Sequence, residues 1–385
     1  MRTLYIDMNS FFASVEQEAE PALRGRPVAI TAIESDAGAC VAASYEAKAF
    51  GIKTGTRIHE AKRLCPHLVL RPSRHKLYVR INQKIAAVID HLAELEFVRS
   101  IDEFQVVLAG HHSELETSLQ LARQIKAAIS THVGSQLRCS IGIGPNHLLA
   151  KIAGKLEKPD GLVWLAPENM PDRIDHLKLD DLPGISKGIR RKLLNAQIYN
   201  VRTLYRLDPR HARMIWRSVE GERFIRALQG MDIRLNPNKR NGYGNSKVLA
   251  PELRSPDKAK LVGRWLTEKA CERMRRDDYC ARLFSLQVNF RGRPTWSNNR
   301  KLTASQDTAV FLQIYESLWT EMLNTRPNHV LGISVHLGNI IELSARSGEL
   351  FTPLAPGQQS KTEALAKCID NINRRYKSRL LKFGV

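Results

Sequence analysis

Three acidic side chains follow two short apolar runs in the first third of the chain. Asp7 ends the apolar residues 4–6, and Asp102 and Glu103 follow residues 97–101. A carboxylate at a strand end is costly to desolvate unless a cation or a hydrogen-bond donor compensates its charge. Because a further apolar run comes directly after Glu103, we expect a hairpin with Asp102 and Glu103 at its tip and Asp7 on a neighbouring strand. The three carboxylates then predict an all-oxygen site of the kind that Mg²⁺ prefers, and a solvated acidic turn is the alternative.

Two further segments carry residue types that suit a phosphate group. Phe11 and Phe12 open a helix-like run after Asp7, and the backbone amides at a helix start can hold phosphate oxygens. Packing of the two rings in a core is the alternative. Tyr45 and Lys48 are three residues apart, so on a helix they share one face and place a hydroxyl beside a cation. Two solvated surface residues are the alternative for that pair.

Common nucleotide motifs are absent from the sequence. Gly142 and Gly144 suggest a dinucleotide-binding turn, but His147 stands where the third glycine belongs, so this fingerprint fails. No Walker A sequence occurs. The six cysteines contain no C-x-x-C pair, which predicts reduced and mostly buried thiols.

Composition limits the class of partner. The 385 residues carry 59 Lys or Arg against 39 Asp or Glu, which gives a net charge of +20 and a pI near 9.9. This balance favours a polyanion such as nucleic acid. No apolar run approaches the roughly 18 residues of a membrane span, and no signal-peptide core is present. We therefore expect a cytoplasmic protein without membrane contact.

The chain is long enough for two to four domains. The first 165 residues predict an α+β domain, residues 166–236 a set of short helices, and residues 236–245 a polar linker. A small domain of order β-α-β-β-α-β follows, with helices on one face of a sheet, and a basic tail begins at residue 346. The predicted elements are strands 3–6, 27–33, 97–108 and 137–143 and helix 115–132, then strand 246–249, helix 256–276, strands 281–290 and 300–304, helix 307–323 and strand 330–337.

Residues 181–193 have the pattern of a helix-hairpin-helix. Its tight turn at Gly184 and Ser186 would present backbone amides to a DNA phosphate without reading bases, and Lys187, Arg190 and Arg191 would add positive charge. An ordinary helix cap is the alternative.

Taken together, the motifs of the first 161 residues resemble the ordered motifs of Y-family DNA polymerases. Within that family the chain is most similar to bacterial impB/mucB/samB-type or DinB-like lesion-bypass polymerases, although Asn9 stands where the DinB branch often has aspartate. The motifs are Asp7 with Phe11-Phe12-Ala13-Ser14-Val15-Glu16, then Tyr45-Glu46-Ala47-Lys48-Ala49-Phe50-Gly51, Ser100-Ile101-Asp102-Glu103, Ala150-Lys151-Ile152-Ala153 and Lys158-Pro159-Asp160-Gly161.

The resemblance implies a right-hand polymerase fold and a translesion, template-directed DNA polymerase that uses two-metal nucleotidyl transfer in damage-induced (SOS) mutagenesis. Its implied partners are primer-template DNA and deoxynucleoside triphosphates. A non-catalytic accessory protein that binds DNA or a sliding clamp is the alternative. The implied domains are a palm (1–10 and 77–165), small fingers (11–76), a helical thumb (166–236), a linker (237–245), a little finger (246–345) and a basic tail (346–385).

The resemblance also implies roles for individual residues. Asp7, Asp102 and Glu103 would be the catalytic acids and, with the Met8 carbonyl, would hold two Mg²⁺ ions, for which Mn²⁺ could substitute. Phe12, next to Phe11, would be the steric gate against a ribose 2′-hydroxyl. The proposed triphosphate-binding residues are Tyr45, Lys48 and Lys158.

Four basic residues of the last domain, beside Trp296 on the predicted strands, are candidates for holding the DNA backbone, with solvated strand edges as the alternative. They are Arg291, Arg293, Arg300 and Lys301. Residues 348–351 weakly resemble a sliding-clamp-binding peptide, and we expect a monomer.

Overall fold

The structure is a computed structural model, and it describes residues 1–32, 38–233, 240–325, 329–346, 361–376, 380, 381 and 383. The chain divides into two compact units, Met1–Leu235 and Asn236–Val385. Within the described ranges, no helix is both long and apolar enough to cross a membrane. The six cysteines are free thiols, of which only Cys368 is exposed.

Strands and helices alternate along the first 165 residues of the first unit. The elements after residue 165 in this unit are helical. Its strands are β1 Thr3–Met8, β2 Val28–Thr31, β3 Cys40–Ala43, β4 Val69–Pro72, β5 Leu95–Val98, β6 Glu103–Val107, β7 Cys139–Gly144 and β8 Leu162–Trp164. Its helices are α1 Phe11–Ala19, α2 Tyr45–Ala49, α3 Ile58–Leu64, α4 His75–Leu92, α5 Leu115–His132, α6 His147–Leu156, α7 Lys187–Asn195, α8 Val201–Tyr205, α9 Pro209–Trp216 and α10 Val219–Leu228.

A five-stranded sheet of order β5-β6-β1-β7-β8 forms the centre of this unit. In β1, the apolar side chains of Leu4 and Ile6 lie on one face, where α4 and α5 cover them in a common core. Tyr5 and Asp7 therefore point to the opposite face, since successive side chains of a strand alternate. The antiparallel register pairs Asp7 with Glu103 on β6 and with Ser140 on β7. Asp7 and Glu103 are thus cross-strand neighbours, and Asp102 directly precedes Glu103 in the chain.

Helix α6 lies very close to the opposite face of the sheet. Gly142 of β7 makes this approach possible, because a Cβ atom there would collide with the backbone of Ala150 and Gly154 on α6. The other side of α6 packs into the core of the short helices α7–α10. A separate sheet of order β3-β2-β4 carries α2 and α3.

The second unit has the predicted β-α-β-β-α-β order. Its strands are β9 Gly242–Val248, β10 Tyr279–Phe290, β11 Trp296–Ser305, β12 Val330–Gly338 and β13 Ile341–Glu342, and its helices are α11 Pro256–Arg276, α12 Thr308–Leu323 and α13 Lys361–Arg375. The main sheet has the order β11-β10-β12-β9, and α11 and α12 pack on it around Phe284, Phe311 and Trp319.

Two sequence expectations for this unit need correction. The last residues of the predicted linker, from Gly242 onward, belong to β9, because they pair with β12. Arg291 and Arg293 lie in the turn between β10 and β11 instead of on a strand, since Gly292 has a left-handed φ of 68° and Pro294 follows. The clamp-binding candidate at residues 348–351 lies outside the described residues.

The predicted basic tail contains a docked helix, α13. Arg275 of α11, which is 2% exposed, donates two hydrogen bonds to Asp370 of α13 at 2.7 and 3.0 Å. Glu363 accepts hydrogen bonds from the backbone of Gln306 at 2.8 Å and from Arg346. The sequence indicated only a basic tail, because the partners that allow these charged residues to be buried lie elsewhere in the chain.

Candidate active site

An open cleft of about 310 Å³ lies where β1 ends and α1 begins. It brings together nearly all of the residues that the sequence singled out as catalytic or nucleotide-binding. The cleft is lined by Asp7, Met8, Ser10, Phe11, Phe12, Val41, Ala42, Ala43, Tyr45, Lys48, Thr54, Asp102 and Lys158.

Asp7 lies at the floor of this cleft and pairs with Lys158. Lys158 Nζ stands 2.6 Å from Asp7 Oδ1. Burial raises the pKa of the Asp7 carboxyl above its usual value, the Lys158 ammonium opposes this shift only in part, and the charge of Asp102 adds to it. The ionised carboxylate therefore still lacks compensating positive charge.

Asp102 lies in the turn between β5 and β6, as the hairpin prediction required. Its carboxylate accepts a hydrogen bond from Ser100 Oγ at 2.6 Å, and its backbone carbonyl accepts one from the Met8 N–H at 2.9 Å. The second bond holds the hairpin tip against the end of β1. Asp102 and Asp7 thus face the same cleft.

Glu103 pairs with Asp7 in the register of the sheet, but its carboxylate has a cation of its own and is not among the residues that line the cleft. Lys151 Nζ of α6 donates to Glu103 Oε1 and to Tyr5 Oη, both at 2.8 Å. Burial raises the pKa of Glu103, but the hydrogen bond and charge of Lys151 outweigh it, so the pKa lies below its usual value. Among the described residues, no group of three or more His, Cys, Asp or Glu side chains is arranged to hold a metal ion. Three adjacent carboxylates repel each other, and in this structure Glu103 takes its own cation instead.

Tyr45 and Lys48 share one face of α2, as predicted, and Ser10 connects them to the start of α1. Lys48 Nζ lies 4.2 Å from the centroid of the Tyr45 ring and donates to Ser10 Oγ at 2.7 Å. Burial lowers the pKa of Lys48, and the neighbouring Lys158 lowers it further. The two lysines therefore bring two positive charges close together in the cleft, and such a region suits an anion.

The ring of Phe12 packs against an aromatic and ionic network that was not predicted from the sequence. Its ring stacks on Tyr78 with centroids 4.2 Å apart and planes 14° apart. The Tyr78 hydroxyl donates to the buried Glu16 carboxylate at 2.8 Å, and Arg74 binds the same carboxylate, with Nε at 3.0 Å. Phe11 is 3% exposed and belongs mainly to the core. The spacing of Glu16 and Phe12 on one face of α1 was the available signal for this support.

The predicted DNA-binding residues of the helical segment lie together at the surface. Gly184 has a φ of 97°, and Ser186 caps α7 by accepting from the Ile189 N–H at 3.3 Å. Lys187, Arg190 and Arg191 are exposed on the first turns of α7, although Arg190 pairs with Asp180 at 3.0 Å. The element before the turn is a single 3-10 turn, Leu179–Asp181, and not the α-helix that the motif requires. Pro183 follows two residues later, and the residue before a proline disfavours helical backbone.

In the second unit, Arg300 and Lys301 are exposed on the edge strand β11. Arg300 Nη2 lies 2.6 Å from Glu321 of α12, so part of its charge is compensated within the chain.

Solved structures with the same fold are Y-family polymerases. A Y-family DNA polymerase chimera of Dbh and Dpo4 has a TM-score of 0.75 and 24% identity, covering 89% of this chain and 100% of that chain. DinB from Sulfolobus solfataricus has a TM-score of 0.56 with the same identity and coverage. The fold is therefore that of the Y-family DNA polymerases, which confirms the predicted α+β polymerase fold.

Sequence comparison gives the family. A model described as the impB/mucB/samB family matches residues 6–155, and the model of its C-terminal domain matches residues 240–350. DNA polymerase IV of Moorella thermoacetica is 30% identical, covering 99% of this chain and 95% of the relative. DNA polymerase IV of Bacillus anthracis is 28% identical, covering 99% and 92%. The chain belongs to the impB/mucB/samB family, as the sequence motifs predicted.

Proposed function

We propose that this protein is a template-directed DNA polymerase that performs translesion synthesis past damaged bases. Its family membership and its relatives named DNA polymerase IV support the polymerase activity. The observation that carries the proposal is the single cleft in which Asp7 and Asp102 face Lys48, Lys158 and Phe12. The alternative of a non-catalytic accessory protein is not favoured, because the acids of the site are retained.

The oxygen donors of the cleft fit a hard divalent cation. The carboxylates of Asp7 and Asp102 and the backbone of Met8 line the same space, and the pKa of Asp7 is raised because its burial is only partly offset by Lys158. Oxygen ligands of this kind suit Mg²⁺, with Mn²⁺ as a substitute. When bound, two such ions lower the pKa of the primer 3′-hydroxyl and neutralise charge on the triphosphate. Glu103 is the proposed further ligand, and its ion pair with Lys151 would have to open for it to bind a metal ion.

The chain's own side chains would position the nucleotide. Lys158 and Lys48 would hold the triphosphate oxygens, and the Tyr45 hydroxyl would add a donor beside them. The ring of Phe12, supported by Tyr78, would occupy the space that a ribose 2′-hydroxyl needs. Positioning and charge stabilisation of this kind account for most of the acceleration in phosphoryl transfer.

Primer-template DNA is the proposed macromolecular partner. The net charge of +20 supports a polyanionic ligand, and the exposed turn at Gly184 with Lys187 and Arg191 offers contacts to phosphates. We propose the same role for Arg291, Arg293 and Lys301 in the second unit. Binding to a sliding clamp and a monomeric state stay predictions.

Primer extension on an undamaged template and on one with a damaged base tests the proposal. The wild-type protein should extend the primer in Mg²⁺, and Asp102→Ala should abolish extension while DNA binding by fluorescence anisotropy stays within about twofold. Asp257→Ala, at an exposed position of α11, is the matched control and should extend normally. Normal extension by Asp102→Ala, or no extension by the wild type, would contradict the proposal.

A further inference from the structure

The loop between α6 and β8 carries Lys158 into the cleft. Residues 157–161 are outside both elements, and Lys158 reaches Asp7 across 2.6 Å. The reach of the ammonium group to Asp7 therefore depends on what holds this loop, because neither α6 nor β8 fixes the backbone of Lys158.

Asn9, two residues after Asp7, binds this loop directly. The side chain is buried, with 2% exposed. Its Oδ1 accepts a hydrogen bond from the Asp160 N–H at 2.7 Å, and its Nδ2 donates to Ser140 Oγ at 3.0 Å. Ser140 Oγ in turn accepts from the Gly161 N–H at 3.3 Å. The backbone N–H groups of Asp160 and Gly161 are thus bound by the side chains of Asn9 and Ser140.

The backbone of Asn9 is itself fixed. Its N–H donates to the Arg138 carbonyl at 2.8 Å, and its carbonyl accepts from Ser14 Oγ at 2.8 Å. On the far side of the loop, Lys126 Nζ lies 2.9 Å from Asp160 Oδ1. The loop is therefore held between an internal amide on one side and a lysine nearer the surface on the other.

We propose that Asn9 is a positioning residue that sets where Lys158 stands relative to Asp7 and so determines the affinity for the nucleotide triphosphate. The proposal rests on the proposed function, because it takes Lys158 as a triphosphate ligand. Asn9 acts through the Asp160 amide and does not itself touch the nucleotide. Asn9, which directly follows β1, would thereby orient Lys158, the lysine that pairs with Asp7 of β1.

Steady-state incorporation of a single deoxynucleotide separates this role from a general effect on folding. Asn9→Ala should raise KM for the deoxynucleotide about tenfold, the equivalent of about 1.4 kcal/mol or one net hydrogen bond, with kcat changed less than about threefold. Asn9→Asp should keep KM within about threefold of wild type, because a carboxylate accepts the same Asp160 N–H and the Ser140 hydroxyl can rotate to donate.

A double variant tests whether the effect passes through Lys158. In the Lys158→Ala background, Asn9→Ala should change KM less than about twofold, because the group that it positions is gone. An unchanged KM in Asn9→Ala, or a tenfold rise that persists without Lys158, would overturn the proposal. Should Asn9→Ala fail to fold, Ser140→Ala removes the acceptor of the Gly161 N–H and of Asn9 Nδ2 but leaves the bond between Asn9 and the Asp160 N–H. This variant should raise KM about threefold, and an unchanged KM there would overturn the proposal.

Hydrogen exchange measured by mass spectrometry detects the contact between Asn9 and the loop without an activity assay. Peptides covering residues 158–161 should exchange faster in Asn9→Ala and at the wild-type rate in Asn9→Asp, and equal rates in all three proteins would contradict the contact. If the wild-type protein fails to extend primers, the proposed function fails while this measurement still reports on Asn9. If extension is normal and KM does not respond to Asn9→Ala, only the inference about Asn9 fails.

Discussion

Replacement of Tyr78 tests how the proposed sugar-selecting ring of Phe12 is held in place. The two rings stack with centroids 4.2 Å apart, and the Tyr78 hydroxyl binds the buried Glu16 carboxylate at 2.8 Å. Tyr78→Leu removes the stacked ring, whereas Tyr78→Phe keeps the ring and removes only the hydroxyl. The two variants therefore separate support of Phe12 from stability of the network behind it.

The expected magnitudes follow from these contacts. A stacked aromatic pair contributes about 0.5–1.5 kcal/mol beyond its buried area. If this support is lost from the gate, the preference for a deoxynucleotide over the matching ribonucleotide should fall between about 2-fold and about 13-fold in Tyr78→Leu. Tyr78→Phe should keep the preference within about twofold of wild type. It should nevertheless lose about 1.5–3 kcal/mol of unfolding free energy, because the hydroxyl serves a buried charge.

The assay is incorporation of dGTP and GTP opposite a template cytosine, compared as the ratio of their kcat/KM values. Phe12→Ala is the reference, since it removes the ring itself. Urea unfolding gives the stability of each variant. The reasoning is refuted if Tyr78→Leu keeps the wild-type ratio while Phe12→Ala loses it, or if Tyr78→Phe loses as much selectivity as Tyr78→Leu.

Three further outcomes are expected. Burial lowers the pKa of His147 to about 4, below its value of about 6.5 in an unfolded chain. The unfolded state therefore binds more protons between these values, stability falls as the pH drops through this window, and His147→Phe should remove that dependence in urea titrations at pH 7 and pH 5. Arg275→Met should cost about 3–5 kcal/mol by leaving Asp370 buried without its cation, and adding Asp370→Leu should recover most of this in urea unfolding; a smaller loss would contradict the buried pair. Replacing Lys187 and Arg191 by alanine should reduce the slope of log affinity for duplex DNA against log salt by about 0.9 per lost phosphate contact; an unchanged slope in anisotropy titrations would exclude both from the interface.

Much of the fold was predictable because the apolar periodicity and the helix-breaking residues indicate the same element boundaries. Helices α5 and α11 begin and end where periodicity and the flanking residues indicated. The position of Asp102 at the hairpin turn was likewise predictable, because charged residues between two apolar strand-like runs indicate a turn. Within the site, the shared face of Tyr45 and Lys48 followed from their spacing on a helix.

The unpredicted features depend on contacts between distant parts of the chain. Lys151 lies 48 residues from Glu103 in sequence, so nothing local indicated that it would bind this acid. The docking of α13 was hidden for the same reason: Arg275 and Asp370 are 95 residues apart, and each alone is typical of a solvated surface. Sequence pattern identifies which groups can do chemistry, but their partners are set by tertiary packing.

The close approach of α6 to Gly142 has a consequence for mutational screens. The same helix carries Lys151 toward Glu103 and leads into the loop with Lys158. A methyl group at position 142 would push the helix backbone away from the sheet and displace both lysines at once, and misplacement by about 1 Å can cost about 100-fold in rate. Gly142→Ala would then score as an inactive polymerase although no reactive group has changed, and a glycine that resembles part of a nucleotide-binding motif would be selected for spacing alone.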